Sequence, residues 1–233
     1  MNEFSRMELL LEDDSINKLK QAHIAVFGVG GVGGHCVESL VRAAIGEITI
    51  VDNDVVSLTN INRQIIALHS TVGQPKVTVM NERIQDINPY CKVHPIPLFI
   101  DYESIESIDF NQFDYIVDAI DTVSAKILLI EKAKSHQIPI ISCMGTGNKF
   151  ETEMLKIMDI SETRICPLAK VMRRELKSRK INHLKVLSSY EIPRKPKISE
   201  EITNKRSVPG SVSFVPSAAG IIIAKEVIMD LLK

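Results

Sequence analysis

Ala22-His-Ile-Ala-Val-Phe-Gly-Val-Gly-Gly-Val-Gly-Gly34, a helical segment, and then Ile48-Thr-Ile-Val-Asp-Asn-Asp54 make up the stretch whose reading decides the fold. Ile24 to Phe27 is a short apolar run, too brief for a helix and suited to a buried strand. Gly28, Gly30 and Gly33 follow as G-x-G-x-x-G, with Gly31 between them, at the corner where that strand meets a helix starting near Val32. Such a corner lets backbone approach a phosphate, and the helix N-terminus offers it unpaired N–H groups and the positive end of a dipole. A second apolar run, Ile48 to Val51, closes on Asp52, nineteen residues beyond Gly33, where an acid can accept hydrogen bonds from a ribose. Strand, glycine corner, helix, strand and acid in this order predict a nucleotide site. By themselves they do not separate NAD from ATP.

The other 200 or so residues can bury one large core, and no internal repeat or linker divides them. The chain therefore reads as one domain over 1–233, with a nucleotide-binding core at 1–145 and a C-terminal part at 146–233. No apolar run is long enough for a membrane span, and the opening Met1-Asn-Glu-Phe-Ser-Arg6 lacks the basic-then-apolar pattern of a signal peptide. Cys36, Cys91, Cys143 and Cys166 are scattered with no C-x-x-C pair, which argues against a disulfide framework or structural zinc and fits a reducing cytoplasm. The net charge of −1 hides a segregation: thirteen Lys/Arg and four Asp/Glu fall between Arg164 and Arg206, against fifteen and twenty-five elsewhere. A basic segment of this kind suits a polyanion such as RNA, or is a solvated charged face.

Taken in order, Ser5 to Leu19 reads as one or two short helices. A polar loop after Asp54 carries Asn60, Arg63 and Gln64, and Gly73-Gln-Pro75-Lys76 opens a helix to about Asn88. Val93 to Leu98, with two prolines, suits only an edge strand. Asp101 to Ile108 is a short helix, Phe113 to Asp121 a buried strand ending in acid, Ser124 to His136 a helix and Ile138 to Ser142 a strand. This alternation predicts an α/β fold: a doubly wound, Rossmann-like, mostly parallel sheet with helices on both faces. Antiparallel additions follow, with strands expected at 150–157, 183–190 and 211–215. Leu168, Val171, Met172 and Leu176 make an apolar helical stripe, with Lys170, Arg173, Arg174 and Lys177 on the other face. Residues 192–208 read as a mobile loop, and 218–232 as an apolar helix buried against the core or a partner subunit.

The residues beyond Asp52 favour a triphosphate over a nicotinamide. No His and Asp pairing suggests hydride chemistry, whereas Arg63 offers a forked cation and Lys76 a point charge for phosphate oxygens. Asn60 and Gln64 can orient them by hydrogen bonds. Asp121, ending a neighbouring strand, is placed to hold Mg²⁺, an ion that takes carboxylate and phosphate oxygens. With Gly28, Gly30, Gly31, Gly33 and Asp52 these form an expected ATP–Mg²⁺ site. Cys143 and Cys166 read as buried small hydrophobes rather than nucleophiles.

Gly28–Gly34, Asp52-Asn-Asp54, Thr59-Asn-Ile-Asn-Arg-Gln64, Gly73-Gln-Pro-Lys76 and Asp118-Ala-Ile-Asp121 together resemble the ThiF/MoeB/HesA superfamily, relatives of the ubiquitin-activating enzymes. The resemblance implies a homodimer that adenylates a carboxylate, with Asp52 on ribose, Arg63 and Lys76 on the phosphates, and Asp121 on magnesium. It places Arg6 as an arginine reaching into the partner subunit's ATP site. Two zinc-binding C-x-x-C pairs common in the thiamine and molybdopterin branches are missing. Asp118–Lys126, Pro167–Arg174 and Gly210–Gly220 are instead similar to the branch of tRNA threonylcarbamoyladenosine dehydratases. Cys166 stands where that branch has Asp, and Gly34 where the superfamily has Ser or Cys. The implied activity is ATP-dependent cyclisation of N6-threonylcarbamoyladenosine in tRNA, with tRNA contacts from Lys170, Arg173, Arg174 and Lys177 and a cysteine desulfurase as a possible sulfur-transfer partner. Adenylation of the C-terminal glycine of a ubiquitin-like sulfur-carrier protein is the alternative.

Overall fold

The computed structural model describes residues 2–197 and 209–233. Seven strands form one sheet in the order β3-β2-β1-β4-β5-β7-β6. They are β1 (His23–Phe27), β2 (Glu47–Val51), β3 (Lys92–Ile96), β4 (Tyr115–Asp118), β5 (Ile140–Cys143), β6 (Leu155–Asp159) and β7 (Lys185–Ser189). All neighbours run parallel except β6 on β7. β1 and β4 are buried throughout, as their continuous apolar runs require when helices cover both faces. β3, the strand with Pro95, lies at one edge, where a missing N–H breaks no ladder bond on the open side.

The helices are α1 (Ser5–Glu8), α2 (Ser15–Gln21), α3 (Gly33–Arg42), α4 (Lys76–Ile87), α5 (Val123–Ser135), α6 (Pro167–Ser178) and α7 (Phe214–Leu231). Alternate β1 residues serve different layers. Ile24 and Val26 join a core with Val37 and Leu40 of α3, Met80 of α4 and Ile223 of α7. Ala25 and Phe27 join another with Leu129 of α5 and Met172 of α6. Two apolar layers on opposite faces of a largely parallel sheet make the fold doubly wound. No described helix is long and apolar enough to cross a membrane.

The expected strand at 211–215 is not formed. α7 starts at Phe214 instead, after Ser213 at its N-cap, and Pro216 occupies its first turn, where the absent N–H has no helical acceptor to lose. A chain segment bounded by Gly210 and Pro216 had no strand partner to pair with, whereas α7 gains a long packing face on α3 and the sheet. Gly220 lies where a Cβ would stand 2.3 Å from the Val32 carbonyl, so only glycine lets α7 approach the start of α3 so closely. On α6 the buried stripe is Ala169, Met172 and Leu176; Val171 points outward, at 37% exposure. Most of the loop expected at 192–208 lies outside the described residues.

Candidate active site

The site begins where β1 ends. Gly28 has φ +92° and donates its N–H to the Val51 carbonyl at 2.7 Å, locking the corner against the end of β2. A Cβ on Gly28 would lie 2.6 Å from the Ala119 carbonyl oxygen, and one on Gly33 would lie 1.7 Å from that of Gly28. Those two glycines are steric necessities of the turn. Gly30 is different: its virtual Cβ meets nothing nearer than Gln64 Nε2 at 3.9 Å, so its bare backbone faces a cleft of about 890 Å³.

Asp52 closes β2 beneath this corner. Its Oδ2 accepts from the Val29 N–H at 2.7 Å and its Oδ1 from the Asp54 N–H at 2.8 Å. Burial raises its pKa, against the pull of the nearby Lys76 ammonium. Lys76, at the start of α4, is only 4% exposed. Its Nζ is 2.7 Å from Asp54 Oδ2 and 3.9 Å from Asp52 Oδ1. The glycine corner, the ribose-type acid and the phosphate-type lysine are thus one hydrogen-bonded unit.

Arg63 lies across the cleft, held through Nη1 by the Thr59 carbonyl at 2.8 Å and Asn62 Oδ1 at 2.9 Å. This corrects the expectation that Asn60 and Gln64 orient the two cations. Asn60 instead caps its own turn, its Oδ1 accepting from the Ser57 N–H at 3.1 Å. Gln64 Oε1 is buried without a hydrogen-bond partner among the described residues, inside the cleft wall. The bare backbone at Gly30, the Arg63 guanidinium and the Lys76 ammonium line one cleft and make a donor set fitted to a nucleotide phosphate chain, while Gln64 Oε1 is an acceptor left for a donor of a bound group. Asp121 lines the same cleft from the carboxyl end of β4, and a carboxylate there is the donor type that Mg²⁺ takes.

Below the cleft floor lies an ion pair that spacing alone did not assign. Lys126 and Asp118 are both fully buried, with Nζ 2.9 Å from Oδ2. Lys126 also donates to the carbonyls of Ile120 and Cys143, and Asp118 accepts from Ser142 Oγ and the Ile120 N–H. Each polar atom of the pair has a hydrogen-bond partner, which is the condition for such a buried pair to persist. It fixes the 119–121 turn that carries Asp121. The signal in the sequence was a lysine within the apolar run Ala125-Lys126-Ile-Leu-Leu-Ile130 of α5.

Other expected residues fall outside this cleft. Arg6 sits exposed on α1 and does not line it. Lys170, Arg174 and Lys177 are exposed along α6, with Arg174 2.9 Å from Glu175. Arg173 turns inward and donates to the Thr163 carbonyl at 2.7 Å, which corrects its placement on the open face. Cys143 and Cys166 are buried, and burial pushes the Cys143 thiol up to about 12, away from thiolate character.

A doubly wound sheet whose carboxyl edge carries a glycine corner, a buried acid and two cations lining one cleft is the framework of a nucleotide-binding α/β protein. The ThiF family model matches residues 4–233, and the chain belongs to the ThiF family. It is 42% identical over 243 residues to the tRNA threonylcarbamoyladenosine dehydratase of Bacillus subtilis (strain 168), spanning 100% of this chain and 96% of that protein. The enzyme of the same name from Escherichia coli (strain K12) is 38% identical over 169 residues, covering 72% of this chain and 63% of that one. The structure of the E. coli dehydratase TcdA in complex with ATP superposes with a TM-score of 0.88 at 30% identity, over 99% of this chain and 93% of that one. Its complex with AMP gives 0.90 at 30% identity, over 99% and 94%.

Proposed function

We propose that this chain is an ATP-dependent tRNA threonylcarbamoyladenosine dehydratase. The observation that carries the reading is the convergence of Gly28, Gly30, Gly31, Asp52, Arg63, Lys76 and Asp121 on one cleft, in a chain similar over its whole length to a dehydratase of that name. Asp52 holds the ribose, Arg63 and Lys76 neutralise the triphosphate, and the N-terminus of α3 faces the phosphate nearest the glycines. Asp121 would hold Mg²⁺, whose charge lowers the cost of bringing a carboxylate to a polyphosphate.

The substrate's threonyl carboxylate attacks the α-phosphorus of ATP and expels pyrophosphate. A nitrogen or oxygen of the same modification then attacks the activated carbonyl, AMP departs with the former carboxylate oxygen, and a proton passes to solvent. The ring closes with the net loss of water. Adenylation itself supplies the leaving group, so positioning and charge neutralisation do the catalysis, which accounts for a site with no acid–base triad among the described residues. Arg6 on α1 serves the partner subunit's site in a homodimer. Lys170 and Lys177 of α6 meet tRNA phosphates in the cytoplasm, and a cysteine desulfurase system is a companion partner.

The test is mass spectrometry of tRNA nucleosides from a strain lacking this gene and carrying wild type or Arg63→Ala/Lys76→Ala. Wild type restores the cyclic nucleoside and the double variant does not, with kcat/KM in vitro down by at least about 10²-fold, as for removal of transition-state charge stabilisation. Cyclisation by the double variant would remove the roles assigned to these cations. ATP–pyrophosphate exchange that requires a carrier protein, with none on modified tRNA, would shift the substrate to that carrier's C-terminus.

A further inference from the structure

The cleft has a second half. Beyond β5 the chain runs Met144-Gly145-Thr-Gly147-Asn148-Lys149, and this loop is held from several sides. Asn148, at φ +61°, donates its N–H to the Gly210 carbonyl, accepts from the Gly210 N–H through Oδ1 at 2.7 Å, and accepts from the Arg194 N–H. The buried Glu191 carboxylate accepts the N–H groups of Phe150 and Glu151. So secured, the loop carries Lys149 into the cleft wall at 2% exposure.

Lys149 has no carboxylate within ion-pair distance among the described residues; its ammonium donates to the Gly145 carbonyl alone. A buried ammonium with three donors and one neutral acceptor lacks the compensation that burial demands. The N-terminus of α6 faces the same space: Cys166 and Pro167 line the cleft, and a Cβ on Gly145 would lie 3.4 Å from Cys166 Sγ. That helix is twelve residues long, and its first-turn N–H groups have no intrahelical acceptor. Two independent sources of positive potential therefore meet here, at the carboxyl end of β5. Arg63 and Lys76 belong instead to the loop after β2 and the start of α4.

We infer that Lys149, with the N-terminus of α6, forms an anion subsite that holds the carboxylate of the substrate before it is adenylated. The inference rests on the function proposed above. The reaction must bring two anions together, a triphosphate and a carboxylate, which repel in a cleft of low dielectric. The cations around β1 and β2 are committed to the first. Lys149 is placed for the second, and its single bond to Gly145 leaves two N–H donors to share with carboxylate oxygens.

The experiment compares N6-threonylcarbamoyladenosine with its neutral carboxamide, binding to the full chain in the presence of a non-hydrolysable ATP analogue. Wild type is expected to prefer the acid by about 10- to 100-fold, the worth of one charge-assisted hydrogen bond. Lys149→Met is expected to bind both alike while its affinity for the ATP analogue stays within about twofold, and Lys149→Arg to recover part of the preference. On modified tRNA the loss in Lys149→Met should fall on KM more than on kcat. Equal binding of acid and carboxamide by wild type would overturn the subsite without recourse to any variant. So would a preference retained in Lys149→Met, or a loss of ATP affinity in place of carboxylate discrimination. Wild type that converts no modified tRNA would overturn the activity and the subsite with it; an active wild type with unaltered discrimination in Lys149→Met would overturn the subsite alone.

Discussion

Gly28 and Gly30 stand two residues apart in one motif, yet they answer to different constraints. Gly28 needs φ +92° and has a carbonyl oxygen 2.6 Å from where a Cβ would be. Gly28→Ala should therefore cost stability, about 1–3 kcal/mol from the strained backbone alone, read as a lower urea midpoint. Gly30 carries no such burden, so Gly30→Ala should unfold within about 0.5 kcal/mol of wild type, as harmless substitutions do. Its new methyl would face the phosphate cradle, and ATP affinity should fall by about tenfold or more in calorimetry. Equal nucleotide affinity in Gly30→Ala would show that the phosphates do not approach that backbone. At this scale the motif marks the glycines of the corner, but only the tertiary structure separates those that make the turn from the one whose backbone faces the cleft. The same holds for Asn60 and Gln64: both line the cleft, but the Asn60 side chain bonds within its own turn and Gln64 Oε1 has no hydrogen-bond partner among the described residues.

On α6, burial follows from geometry finer than the helical stripe reveals. Arg173 is used inside the protein, against Thr163, while Lys170 and Lys177 are exposed. Lys170→Glu/Lys177→Glu should leave unfolding unchanged within about 0.5 kcal/mol. The same variant should weaken tRNA binding and flatten the dependence of log K on log salt by roughly two phosphate contacts. Arg173→Ala should do the reverse, losing about 1–3 kcal/mol of stability through the orphaned Thr163 carbonyl with little change in the salt slope. Filter binding across a salt series, beside urea melts of each variant, checks both. A salt slope unmoved by the double charge reversal would remove α6 from the tRNA surface. α7 tells a related story. Its apolar length announced burial, but its start at Phe214 rather than beyond a strand depended on Pro216 fitting a first helical turn and Gly220 fitting under Val32.

Across the whole molecule, two acids of the last helix, Asp230 and Glu226, fasten it to the sheet. Asp230 of α7 accepts from Tyr115 Oη of β4 at 2.8 Å and pairs with Lys185 of β7, which also reaches Glu226 at 2.8 Å. Burial alone would raise the Asp230 carboxyl; hydrogen bonds from Lys185, Lys233 and Tyr115 outweigh it and hold the pKa at about 2. A carboxyl depressed in the fold contributes stability in full above its unfolded pKa, near 3.8, and loses it as the pH falls toward 2. Asp230→Asn should therefore be less stable than wild type by about 1–3 kcal/mol at neutral pH, with the gap closing between about pH 4 and 2. Urea unfolding at a series of pH values measures it. A gap that is constant down to pH 2 would mean that the acid's charge does not hold α7.

The order of apolar runs, glycines and acids in the chain determined the doubly wound sheet, the nucleotide corner and the acid beneath it. These depend on local periodicity and on backbone requirements that a few neighbouring residues impose. What faces what across the carboxyl edge was decided by tertiary structure. Lys76 meets Asp54, Lys126 is buried on Asp118, and Lys149 enters the cleft with no acid beside it among the described residues. Such pairings cross from one element to another, and their energy depends on burial and distance, neither of which is a property of local sequence. A lysine in sequence is a charge; whether it is spent on the protein or kept for a substrate is settled only when the chain has closed around it.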